Sequence, residues 1–177
     1  MAHTIEPAAS GRAKCRGCGQ PIAKGELRLG ARLPNPFDEE KELTLWFHLR
    51  CGAYKRPAQF LEAASETTEE LVDRTELEAR ARNGLEHRRL PRLSGAERAP
   101  TGRSTCRSCR EPIPKGSWRV TIVYYDEEEG RFSPGGSIHT KCSKEYFGTS
   151  DILDRLEHFA PALGEPEREE LRSELIA

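Results

Sequence analysis

The sequence predicts a small α+β fold built as two tandem metal-stabilised modules, each a short antiparallel sheet with helices. Three observations predict it: six cysteines in two clusters, an offset of 91 residues relating the clusters, and segments whose apolar residues alternate as in strands. Cys15, Cys18 and Cys51 form the first cluster, Cys106, Cys109 and Cys142 the second. A histidine three residues before the last cysteine completes each, His48 and His139, and no cysteine is left over. The repeat runs past these ligands, because Pro21, Ile22, Lys24, Gly25 and Arg28 recur as Pro112, Ile113, Lys115, Gly116 and Arg119.

Cys-x2-Cys followed by His-x2-Cys is the donor set of a tetrahedral zinc site, with Gly17 and Gly19 easing the first knuckle. Two Zn2+ ions are therefore expected, one per module. In both copies 29 residues separate knuckle and histidine, so metal binding, on the order of 10–16 kcal/mol, is mostly folding energy. Four protein ligands leave no position for a reactive water, which argues against catalysis at these sites. No phosphate-binding glycine loop, nucleophile elbow or dinucleotide fingerprint occurs elsewhere, so a non-enzyme is expected. A disulfide framework would need a secreted chain, and MAHTIEPAASGRAK has no apolar signal core. No apolar run approaches the ~20 residues that cross a bilayer, so no membrane partner is expected. With 21 arginines to 7 lysines, a bacterial, cytoplasmic and nucleoid-associated protein is expected.

Module one is placed at residues 10–83, a basic flexible linker at 84–100, and module two at 101–177. Glu26 to Leu33 alternates, with Leu27, Leu29, Ala31 and Leu33 on one face and Arg28, Gly30 and Arg32 on the other, polar one. Glu42 to Phe47 reads as a second strand leading into His48, with Pro34 to Asp38 as the connecting loop. Trp46 and Phe47, beside a ligand, read as packing around the zinc. Trp118 to Tyr125 repeats the first strand before an acidic loop, Asp126 to Glu129. Thr67 and Glu70 have capping-box spacing ahead of Leu71, Val72 and Leu77. Ser150 is placed to cap a helix carrying Ile152, Leu153, Leu156 and Phe159. Pro166 opens a last helix that buries Leu171, Leu175 and Ile176. His3, His87 and His158 fit no ligand spacing.

The formal net charge is −1, and three thiolates leave each zinc site a further −1, yet charge is segregated along the chain. Residues 10–32 carry Arg12, Lys14, Arg16, Lys24, Arg28 and Arg32 against Glu26 alone. Residues 101–120 carry Arg103, Arg107, Arg110, Lys115 and Arg119 against Glu111 alone. A basic stretch at each knuckle suits a phosphate backbone.

SGRAKCRGC, PIAKGELRLG, NPFD and LWFHLRC together closely resemble the PARP-type zinc finger of poly(ADP-ribose) polymerases and of a eukaryotic DNA ligase. GRSTCRSCREPIPKGSWRV and IHTKC resemble it less closely. The resemblance implies two tandem fingers that bind nicks, gaps or ends of DNA by structure, independently of sequence, in DNA repair. It implies that Arg12 and Arg28 grip phosphates, with Arg103 and Arg119 as counterparts, and that Phe37, helped by Pro36, stacks on the exposed base pair. Lys14, Arg16 and Arg32 complete the candidate DNA-binding set.

Module two departs from the pattern. Its hairpin loop is acidic, Ser137 and Ile138 replace the aromatic pair, and Tyr124, Tyr125 and Phe132 are its alternative stacking residues. Both copies also lack the family's aromatic after the last cysteine, having Gly52 and Ser143. The competing expectation is a zinc-stabilised protein-interaction adaptor, accessory to a separate repair enzyme.

Overall fold

Each module begins with a strand that precedes the cysteine knuckle. In the computed structural model, which describes residues 2–126 and 128–177, these are β1 (Thr4–Pro7) and its counterpart β4 (Leu93–Arg98). The chain divides into two compact units, Met1–Glu86 with Asp126–Arg131, and His87–Tyr125 with Phe132–Ala177.

In the first unit β1 pairs with β2 (Leu27–Asn35), and β2 with β3 (Asp38–His48), in an antiparallel sheet of order β1-β2-β3. Three helices follow: α1 (Leu49–Lys55), α2 (Pro57–Glu66) and α3 (Arg74–Glu86). They pack on one another, and α1 and α2 also pack on the sheet. Period-2 alternation sends Leu29, Ala31, Leu45 and Phe47 to the helix side, where they are fully buried with Ala53, Tyr54, Phe60 and Ala81. Gly52 stands on α1 because a Cβ there would come 2.7 Å from the Leu29 side chain. Gly52 is the residue after the last cysteine, so an aromatic there would overpack against Leu29 and Phe47, which accounts for its absence in this copy.

In the second unit β4, β5 (Trp118–Asp126) and β6 (Arg131–His139) make the equivalent sheet of order β4-β5-β6. Helices α4 (Ser143–Phe147), α5 (Leu153–Phe159) and α6 (Glu165–Ile176) complete it. Trp118, Val120, Ile122, Ile138, Phe147, Ile152, Leu156 and Leu171 form its buried core. Among the described residues no helix is long and apolar enough to cross a membrane.

Several expectations are corrected. The segment 84–100 is not a flexible linker: it completes α3, makes a 3-10 turn at Leu90–Arg92 and pairs as β4 with β5. Leu90, Leu93 and Ala96 are buried in the second core, which is what fixes this stretch despite its prolines and glycines. Thr67 and Glu70 open no helix. The Thr67 N–H instead donates to Ala63 O at the end of α2, its hydroxyl accepts from Glu69 N, and α3 starts at Arg74. Val72 is consequently 79% exposed. Ser150 caps nothing, since α5 starts at Leu153. Glu165 and Pro166 do open α6, where the Glu167 carboxylate accepts the Gly164 N–H at 2.9 Å. Leu171 is buried there, but Ile176 is 85% exposed.

At the knuckles, Gly19 has φ +76° and its counterpart Arg110 φ +69°. A side chain in this left-handed region costs roughly 1–2 kcal/mol, so the two modules close the same turn at different expense. Arg110→Gly should stabilise the second unit by about 1 kcal/mol, and Gly19→Ala should weaken the first by a similar amount. Denaturant unfolding with zinc present checks both.

Candidate metal centres and nucleic-acid interface

Backbone hydrogen bonds close the knuckle around its first sulfur. Cys15 N donates to Gln20 O and Gly19 N to Cys15 O, a tight turn that leaves the Gly17 and His48 N–H groups aimed at Cys15 Sγ, each 3.3 Å away. The second copy repeats the pattern: the N–H groups of Ser108 and His139 lie 3.4 Å from Cys106 Sγ. The end of β3 delivers His48 and the first turn of α1 delivers Cys51. The end of β6 delivers His139, and Cys142 follows in a short 3-10 turn.

Cys15, Cys18, His48 and Cys51 bring their ligand atoms within 4.8 Å of one another, as do Cys106, Cys109, His139 and Cys142. His48 Nδ1 lies 3.3 Å from Cys18 Sγ and 4.0 Å from Cys51 Sγ; the matching distances from His139 Nδ1 are 3.3 and 3.8 Å. A tetrahedron with Zn–S near 2.3 Å and Zn–N near 2.0 Å has edges of roughly 3.5–3.8 Å, so each donor set fits one zinc ion. His48 Nε2 donates to Pro21 O at 3.2 Å and His139 Nε2 to Pro112 O at 3.0 Å. The carbonyl fixes the tautomer, leaving the Nδ1 lone pair for the metal.

The sulfurs also show why a cation is needed. Without one, the hydrogen bond from Cys51 and the N–H groups of Cys18, His48 and Gly17 hold Cys15 down at about 5 against the cost of burial. Cys51 is driven far up by that same hydrogen bond, by burial and by the neighbouring thiolates. In the second site burial opposes ionisation of Cys106, yet the N–H groups of Cys109, His139 and Ser108 bring it down to about 7. Burial, with Cys109 and the Cys106 thiolate, pushes Cys142 up to about 12.

The candidate nucleic-acid residues do not all lie where expected. Arg12, Lys14, Arg16 and Arg103 are exposed. Phe37 is 82% exposed at the tip of the β2–β3 hairpin. The expected five-residue loop shrinks there to Pro36 and Phe37, because Asn35 pairs with Asp38 and Asn35 Oδ1 accepts the Phe37 N–H at 2.9 Å. Arg28 is not on a solvated face: it is 8% exposed, its guanidinium lies 3.5 Å over the Trp46 ring, and Nη2 is 3.2 Å from the Glu6 carboxylate. The cause is β1, which covers this side of β2 and supplies Glu6. Arg119 repeats the arrangement with Glu97 at 2.6 Å and Ser104 Oγ at 2.6 Å. Arg32 is half-buried, 3.7 Å from Glu42, and its N–H donates to His3 Nδ1.

Trp46 is corrected as well. It does not pack around the zinc beside Phe47 but lies on the opposite face, over Gly30, where a Cβ would meet the indole at 2.8 Å. With Ala13, Lys14, Cys15, Arg16, Gly19 and Thr44 it lines a shallow groove beside the knuckle. Alternation along β3 already places residues 46 and 47 on opposite faces, so this was readable in the sequence. Glu6 and Glu97 were readable too, being 91 residues apart like the ligands.

In the second unit Tyr125 and Phe132 stack edge to face on each other, 5.3 Å between centroids. Tyr124 packs on Gly135, where any added Cβ would clash with its ring. At the acidic loop, Asp126 Oδ1 accepts the N–H groups of Glu128 and Glu129; Glu127 lies outside the described residues.

Two four-ligand zinc sites, each stapling a three-stranded sheet to helices, define a tandem zinc-finger protein. Residues 6–88 match the family described as "Poly(ADP-ribose) polymerase and DNA-Ligase Zn-finger region". The first module matches that family, and the second ligand set, with the same spacing, fits a second zinc finger in tandem with it. The chain is 28% identical to a poly(ADP-ribose) polymerase of Drosophila melanogaster over 158 residues, covering 80% of this chain and 16% of the relative. It is 32% identical to poly(ADP-ribose) polymerase 1 of Gallus gallus over 135 residues, 67% of this chain and 13% of the relative. The corresponding protein of Oryza sativa is 27% identical over 179 residues, 90% and 18%. The chain thus spans less than a fifth of the length of these relatives.

All of these relatives are eukaryotic, and poly(ADP-ribose) polymerases are nuclear. They overturn the expectation of a bacterial, cytoplasmic protein, which rested on arginine outnumbering lysine, a bias set by base composition and not by cell compartment.

Because the ligands must be deprotonated to hold the metal and the metal supplies folding energy, chelation should unfold both modules, and acid should release the zinc together with loss of the fold. Metal-indicator titration of the released ion should recover two zinc ions per chain.

Proposed function

We propose that the two fingers bind DNA strand breaks by shape, the first reading the break and neither performing chemistry. The observation that carries this reading is Phe37, a large apolar ring held almost fully in solvent at the tip of a two-residue turn. A ring so placed suits stacking on a base pair that has lost its neighbour, worth about 1–3 kcal/mol per base. Arg12, Lys14 and Arg16, exposed and without a carboxylate partner among the described residues, supply phosphate contacts that carry no base information. Arg28 and Arg119 join them by exchanging Glu6 and Glu97 for a phosphate. The match of residues 6–88 to the Zn-finger region family, and the likeness to poly(ADP-ribose) polymerases, support the assignment.

Zinc here folds the modules and takes no part in a reaction, since all four positions are filled by protein. The carboxylates at the tip of the second hairpin, Asp126, Glu128 and Glu129, would be repelled by phosphate and favour a protein partner, such as a repair enzyme, for that part of module two.

Titration of intact, nicked and gapped duplexes of one sequence at several salt concentrations tests the reading. Nicked and gapped DNA should bind more tightly than intact DNA. Phe37→Ala should remove most of that preference without changing thermal stability, because the ring touches no core. Arg12→Ala should weaken binding to every duplex and reduce the salt slope by about one. Undetectable binding to all three duplexes at low salt would sink the proposal.

A further inference from the structure

Of the second unit's arginines, Arg98, Arg119 and Arg172 pair with carboxylates. Arg88, Arg89, Arg92 and Arg107 do not, among the described residues, and three of these lie in the stretch that sequence reasoning assigned to a linker.

Two of the unpaired arginines are held by tyrosines instead of acids. The Arg92 guanidinium lies 4.7 Å from the Tyr124 ring centroid, and its Nη1 donates to Tyr146 Oη at 3.1 Å. The Arg89 guanidinium lies 4.8 Å from the Tyr146 centroid, and its Nη1 reaches Tyr146 O at 3.4 Å. The tyrosines join through their hydroxyls, 3.4 Å apart. At the other end Tyr124 packs on Gly135, whose carbonyl oxygen accepts the Arg107 Nε–H at 3.0 Å. Arg107, Tyr124, Arg92, Tyr146 and Arg89 thus form one connected ladder running from the zinc knuckle to the 3-10 turn before β4.

We propose that this ladder is a second nucleic-acid contact, which holds the phosphodiester backbone away from the break. Stacking on a ring fixes the plane of a guanidinium while leaving its outer N–H groups to donate, the arrangement that suits phosphate oxygens. Among the described residues no carboxylate pairs with these guanidiniums, which leaves their charge free to meet an anionic ligand. The tyrosine faces are already covered by arginine, which leaves them unavailable for stacking on bases; contact is with backbone alone and independent of sequence. Arg88, exposed beside Arg89, extends the same charge. Module two therefore keeps a nucleic-acid role despite its acidic hairpin, through a surface that the first module lacks.

The inference rests on the reading of the chain as a DNA binder, and the experiment separates the two. Full-length protein and the Arg88→Ala/Arg89→Ala double variant are titrated with a nicked duplex having long arms and with one trimmed close to the nick, at several salt concentrations. For the long duplex the double variant should bind several-fold more weakly, with a salt slope smaller by about two. For the trimmed duplex it should match the parent, and the preference for nicked over intact DNA should persist. Lysine at both positions should restore most of the slope, which a purely structural role of these arginines would not predict. Equal affinity and slope for parent and variant on the long duplex would overturn the inference and leave the break-binding reading standing. Loss that lysine fails to restore, accompanied by a lower melting temperature, would also overturn it, as would a parent that binds no DNA but binds an acidic peptide through these residues.

Discussion

Three sulfur atoms and an imidazole are crowded within 4.8 Å at each site, and everything else in the two modules depends on a cation resolving that crowding. Without it one thiol is favoured as a thiolate at the expense of its neighbours, as the opposed shifts of Cys15 and Cys51 show. With it, the knuckle, the last strand and the following helical turn become one rigid corner. The long loop between the ligands is then forced back on itself, and that loop is the hairpin whose tip carries Phe37. Modules of this size bury little apolar surface, so the metal supplies folding energy that a small core does not.

The duplication is faithful where the metal is held and loose where the surface meets solvent. Pro21 and Pro112 keep their carbonyls on the ligand histidines, and Gly25 and Gly116 keep the same left-handed turn. Glu6 and Glu97 keep hold of Arg28 and Arg119. Trp46, by contrast, becomes Ser137, and the groove it lines has no aromatic floor in the second copy. What the second module has instead is a run of arginines braced by tyrosines on its opening turn. Selection on two copies of one scaffold has a simple physical outlet here: positions beneath the zinc cannot change without loss of the fold, whereas positions on its rim can.

Much of this was legible in the sequence because metal ligands and strand alternation are local, periodic signals. The eight ligands, the buried faces of β2 and β5, and the opening of α6 follow from spacing alone. The failures have a common origin in residues whose state is decided by a distant partner. β1 and β4 are short strands with little alternation of their own, and they form because β2 and β5 each offer a free edge. The burial of Arg28 follows from β1 and was lost with it. Thr67 and Glu70 satisfy a capping pattern, but the carbonyl of Ala63 takes the Thr67 N–H first and ends α2. The segment 84–100 has linker composition, yet Leu90, Leu93 and Ala96 find a core that only the folded second module provides.

Both tryptophans of the chain lie beneath an arginine: Arg28 is 3.5 Å above Trp46, and Arg98 is 4.6 Å from Trp118. A guanidinium over an indole alters its excited state, so each module carries its own optical probe. The two differ in setting, since Trp118 is sealed in the core whereas Trp46 floors an open groove beside the knuckle. Ultraviolet emission from this protein therefore has one component that reports the integrity of the fold and another that reports what occupies the first module's surface.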